Sequence, residues 1–157
     1  MASVDEGSGT HPRSTAQIGG HPIHPMLVQF PIVCFIGVLV TDIVFINNQN
    51  HGWATASRYL LVIGLVMAAL AALAGLTDFL GDKRIQGADA IKHAVANVTA
   101  VILALINLIL RLHTDAPIPR IGIILSAVTV LILLYSGWKG GSLVFRHGIG
   151  VEDGLNH

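Results

Sequence analysis

The sequence predicts an all-α membrane protein: four transmembrane helices in an up-down-up-down bundle, with both termini on the same side. Two observations carry this. Hydrophobic residues make up 53% of the 157-residue chain and charged residues only 11%, at a mean hydropathy of +0.70. A soluble domain has about a quarter charged residues. The apolar residues also gather into four runs, Met26–Ile46, Tyr59–Leu80, Ile91–Leu112 and Ile121–Val144. Each is long enough to cross roughly 30 Å of hydrocarbon. Residues 1–20 then form a polar N-terminal tail, 21–151 the transmembrane domain and 152–157 a C-terminal tail.

The first span is entered through His21-Pro22-Ile23-His24-Pro25. A proline biases the preceding residue toward extended backbone, so both histidines are expected outside the helix. In polyproline II geometry they would share a face, roughly 9 Å apart. Pro31 should kink the span or confine its first turn. Asn47–Ser57 reads as the loop to the second span, Gly81–Ala90 and His113–Arg120 as the later links. Links this short make sequential helices antiparallel neighbours. Trp53 and Tyr59 fall at one membrane boundary, Trp138 and Phe145 at the other, as interfacial aromatics do.

Small residues line one face of the second span: Gly64, Ala68, Ala71 and Gly75, ending at Asp78. That face permits close approach of a neighbouring helix, with the third span as the expected partner. In the third span His93, Asn97, Ala100, Ala104, Asn107 and Arg111 recur at 4-3-4-3-4 spacing. This puts one polar or small face along the whole helix, and polar residues at membrane depth face the bundle interior. In the fourth span Gly140-Gly141 permits a bend. A bend there would fold His147 and Gly148-Ile149-Gly150-Val151 back as a lid.

Charge and cysteine content exclude several classes. The formal net charge is zero, so no basic surface suggests nucleic acid. The single cysteine, Cys34, rules out an internal disulfide or thiolate cluster. Asn97-Val98-Thr99 matches a glycosylation sequon but lies within a span. The first twenty residues lack the basic-then-apolar build of a cleavable signal. No nucleophile–base arrangement suggests an enzyme, and no inverted repeat with broken helices suggests a transporter.

Tracing the spans brings His21, His24, Asp78, His93 and His147 to the membrane side that holds the termini. That side receives six basic residues (Arg13, Lys83, Arg84, Lys92, Lys139, Arg146) against three opposite (Arg58, Arg111, Arg120). The positive-inside rule makes it cytoplasmic. Imidazoles with one carboxylate suit iron, zinc or copper, and two imidazoles from different helices suit the axial positions of haem b. His24 and His93 are the expected ligands, with His21 and His147 as alternates. Asn97 and Asp78 are expected to bond a ligand or orient a histidine. At the other end, Asp42 lies eighteen residues after His24 and Arg111 eighteen after His93. At 1.5 Å per residue both reach a similar depth, about 27 Å away, where an ion pair would neutralise them.

The opening His21-Pro22-Ile23-His24-Pro25-Met26-Leu27-Val28-Gln29-Phe30-Pro31-Ile32 and the closing Gly140-Gly141-Ser142-Leu143-Val144-Phe145-Arg146-His147-Gly148-Ile149-Gly150-Val151 resemble a bacterial four-span integral-membrane family of unknown function. Asp78, His93 and Asn97 also match its pattern, and the resemblance covers about residues 18–151. It implies the four-span fold. Because some members are joined to Rieske iron–sulfur domains, it also implies a redox neighbourhood, with any iron–sulfur partner here a separate protein. The expected function is electron transfer through a histidine-bound haem b or non-haem metal. The alternative is a non-catalytic accessory subunit of a respiratory or photosynthetic complex.

Overall fold

A computed structural model describes residues 15–19, 21–81 and 87–147, with side chains through Ser142. The described residues form four long helices: α1 (Ile23–Asn48), α2 (His51–Gly81), α3 (Ala88–His113) and α4 (Arg120–His147). All four are long and apolar enough to cross a membrane. No more than 33% of the most apolar window of any of them is buried. Leu73, Leu80 and Leu131 are among the large apolar side chains pointing outward. On helices of this length and hydropathy, such a surface suits lipid. This is an all-α, four-span membrane bundle.

α1 begins earlier than its apolar run. Pro22 sits extended at the N-cap, and His24 and Pro25 lie inside the first turn. Proline is tolerated there because first-turn N–H groups have no intrahelical partner. His24 is therefore helical, not extended as its neighbouring proline suggested. His21 instead belongs to a two-residue strand, β2 (His21–Pro22), paired antiparallel with β1 (Gln17–Ile18). Gly19, at φ +58°, makes the turn between them. Pro31 is buried within α1, and the helix runs through it.

The link between α1 and α2 is shorter than the polar run suggested. Gln49 closes α1 in the left-handed conformation, its N–H bonding to Phe45 O. Asn50 opens α2, its Oδ1 accepting the Gly52 N–H at 2.9 Å. An asparagine cap thus converts His51–Ser57, expected as loop, into two helical turns. At the other end α4 passes through Gly140-Gly141 as far as His147, so the expected bend is absent. The lid at 148–151 falls outside the described residues, as does the side chain of His147.

The closest packing is within the hairpins α1–α2 and α3–α4. The small face of α2 seats α1, not α3. A Cβ at Gly64 would lie 2.8 Å from the Phe35 ring, so the glycine lets that ring lie directly on the α2 backbone. Phe35, Val38, Leu61, Ala68 and Ala104 form the central core. A smaller cluster of Phe45, Ala54 and Ile118 closes the opposite end from His24.

Candidate functional site: a histidine pair at one end of the bundle

His24, from the first turn of α1, rests on α2. A Cβ at Gly75 would stand 2.8 Å from its Nδ1, so only glycine leaves room for the ring. Nδ1 lies 2.8 Å from the carbonyl oxygen of Ala71. A carbonyl cannot donate, so Nδ1 carries a proton, and in the neutral ring the lone pair is then on Nε2.

His93, from the second turn of α3, rests on α4 in the same manner. A Cβ at Gly140 would lie 3.1 Å from its Cε1. Its Nδ1–H donates to the Ser136 carbonyl at 2.9 Å, with Ser136 Oγ also 3.0 Å away. Here Nε2 is occupied, accepting from Asn97 Nδ2 at 3.0 Å. Ser136 Oγ–H donates in turn to Asn97 Oδ1 at 2.9 Å. His93, Asn97 and Ser136 thus form a closed ring of hydrogen bonds. The two imidazoles meet edge to face, ring centres 6.4 Å apart and planes at 90°.

The remaining sequence candidates are placed differently. His21 is exposed in β2. Asp78 accepts the backbone N–H of Ala16 at 2.8 Å, while Ile23 N–H bonds to Ala16 O at 2.9 Å. Through these bonds Ala16 straps the end of α2 to the start of α1. Lys139 pairs with Asp89 at 3.0 Å, tying α4 to α3 near the histidines.

At the far end Asp42 and Arg111 form a bidentate ion pair, NH2 to Oδ2 at 2.6 Å and NH1 to Oδ1 at 3.0 Å, with no side-chain exposure. Ser57 Oγ donates to Asp42 Oδ1 at 2.6 Å and Ser126 Oγ to Oδ2 at 2.8 Å. Arg111 Nε donates to Asn107 Oδ1 at 2.9 Å. Asn107 Nδ2 reaches Gly122 O and Ser126 Oγ, both at 2.9 Å. Every charged oxygen is thereby bonded, as two charges buried in hydrocarbon require.

Both pairs lie 69 residues apart in sequence. The two histidine seats, Ala71 with Gly75 and Ser136 with Gly140, lie 65 apart. Hairpin α1–α2 is therefore repeated by α3–α4 about a local twofold axis along the bundle. A residue that meets its own counterpart stands on that axis, and both pairs do. The sequence reading missed Ser57, Ser126 and Ser136. The signal was present in α4, where Gly122, Ser126, Thr129, Leu133, Ser136 and Gly140 repeat the 4-3-4-3-4 spacing of α3.

The family model described as Predicted membrane protein (DUF2231) matches residues 20–153. The chain belongs to this family. No curated protein and no solved structure matches it. The DUF2231 match spans all four helices, the histidine pair and the ion pair. The family description supplies a membrane setting and no activity.

The donor set narrows what this DUF2231 chain can hold. Among the described residues no group of three or more His, Cys, Asp or Glu is placed to hold a metal ion. A tetrahedral zinc site takes four protein ligands, or three and a water. Two imidazoles alone do not meet that need. Imidazole is also the donor type that a haem iron takes.

Proposed function

We propose that this protein is a small electron-transfer protein that holds haem b between His24 and His93. The observation that supports the reading is the matched pinning of the two rings. Each Nδ1–H is bonded to a helix carbonyl and each Nε2 carries the lone pair. The ring centres are 6.4 Å apart, so His24 and His93 would be the residues to hold the group. When bound, the haem would supply a one-electron couple with its potential set by burial and by the axial ligands. The chain's own contribution is to fix ring direction through Ala71 and Ser136.

The site faces the cytoplasm of a bacterial inner membrane in this reading, given the basic residues Lys92 and Lys139 at that end and Lys83 and Arg84 between α2 and α3 in the sequence. An iron–sulfur protein is the partner class that the family resemblance implies.

The test is an absorption spectrum, oxidised and dithionite-reduced, with metal analysis of protein purified from haem-replete membranes. The expected result is about one low-spin haem per chain, with the spectrum altered by His24→Ala and by His93→Ala. A colourless, metal-free preparation whose two variants fold normally overturns the reading. Constant co-purification of that colourless protein with a larger complex would establish the accessory-subunit alternative instead.

A further inference from the structure

We propose that Asn97 and Ser136 latch His93, so that the two imidazoles are unequal: His24 is the open donor and His93 the releasable one. As a claim about metal uptake, this rests on the haem reading above. As a claim about the two rings themselves, it stands on hydrogen bonds alone.

The local twofold gives both rings the same seat, a carbonyl for Nδ1–H and a glycine one turn further along the helix. What differs is the other nitrogen. His93 Nε2 is taken by the Asn97 amide, which is held in turn by Ser136 Oγ–H. His24 Nε2 has no hydrogen-bond partner among the described residues. The Asn97 and Ser136 positions of the second hairpin correspond, at the repeat offsets, to Val28 and Ala71 of the first. Neither of those side chains can hydrogen-bond a nitrogen. The latch therefore exists on one side of the axis only.

The chemical consequence concerns order and exchange. His24, whose Nε2 is not hydrogen-bonded among the described residues, would be the residue ready to hold a metal. His93 would have to give up its hydrogen bond from the Asn97 amide before it could serve, so His24 would be the firm ligand and His93 the exchangeable one.

Two measurements test this on the full chain in detergent. The first needs no metal: haem-free protein is treated with diethyl pyrocarbonate, which acylates an unprotonated imidazole nitrogen, and each histidine is followed by mass spectrometry. His24 should react and His93 should be protected, with His93 reacting about tenfold faster in Asn97→Ala and in Ser136→Ala. Equal reaction of the two histidines in the unaltered protein, or protection unchanged in both variants, overturns the latch.

The second is a titration with haemin. His24→Ala should abolish binding, whereas His93→Ala should retain haemin in a five-coordinate form that binds carbon monoxide. Asn97→Ala should bind haemin about tenfold more tightly. Equal loss in both histidine variants, with Asn97→Ala unchanged, overturns the order of uptake. If the unaltered protein takes up no haemin, the haem reading fails, and the acylation result still decides the latch.

Discussion

His24 and His93 meet edge to face at 6.4 Å, and eighteen residues further along the same two helices Asp42 and Arg111 meet as a bidentate ion pair. One pair of like residues and one pair of opposite charges stand on the same local axis. The two ends of the bundle have separate tasks: the ion pair locks the hairpins together, and the histidine end presents nitrogen donors.

Removing one member of the ion pair should therefore cost more than removing both. Asp42→Ala strands the Arg111 guanidinium among Ser57, Ser126 and Asn107, all buried. A loss of about 3–5 kcal/mol is expected. The double change Asp42→Leu with Arg111→Met should recover much of it. Unfolding in mixed micelles by denaturant gives the comparison, and single variants as stable as the parent would rule out the structural role.

The exchanged pair, Asp42→Arg with Arg111→Asp, is a sharper test of the local axis. The swapped charges should restore part of the stability lost in either single reversal. Restoration should stay incomplete, because Ser57, Ser126 and Asn107 are arranged for the present polarity. A swap no better than the worse single reversal would argue against the approximate symmetry.

The glycine seats predict graded damage. Gly75→Ala puts a carbon 2.8 Å from His24 Nδ1, where the bond to Ala71 O lies. Gly140→Ala puts one 3.1 Å from His93 Cε1, a contact that a small tilt relieves. Overpacking of this kind costs about 1–3 kcal/mol, with Gly75→Ala the more harmful. Thermal unfolding and His24 acylation by diethyl pyrocarbonate should both register that order.

How much of this was legible in the sequence depends on the length scale. The four spans were readable because twenty apolar residues have no stable alternative to a membrane helix. The stripe ending in Asn107 and Arg111 was readable because helical spacing is fixed. Helix ends were not: His24 entered α1 because proline suits a first turn, and Asn50 capped α2 in a stretch that composition alone marks as loop. Partner choice was also hidden. The small face of α2 fits any close neighbour, and only the bulk of Phe35 and the ring of His24 assign it to α1. Ser136 escaped notice because its stripe in α4, Gly122 to Gly140, carries only small and weakly polar residues, and its role appears once His93 and Asn97 are placed against it.

The strap over the histidine end should loosen without unfolding the bundle. Asp78→Ala removes the acceptor for Ala16 N–H, while the Ile23 N–H to Ala16 O bond persists. Limited proteolysis should then cut near Gln17–Ile18 more readily, with the denaturation midpoint of the four helices little changed. An equal loss of bundle stability would mean that the strap belongs to the core.

Orientation can be settled with the same chain. Cys34 is a free cysteine, so Cys34→Ala gives a background in which introduced thiols are the only targets. Gln49→Cys, at the turn between α1 and α2, and Gly87→Cys, just before α3, mark opposite ends of the bundle. Both positions are exposed. The charge bias at the histidine end predicts that a membrane-impermeant maleimide applied to intact spheroplasts labels position 49 and reaches position 87 only after permeabilisation. The reverse pattern would move the histidine pair to the outer face, and with it the compartment from which any electron partner must approach.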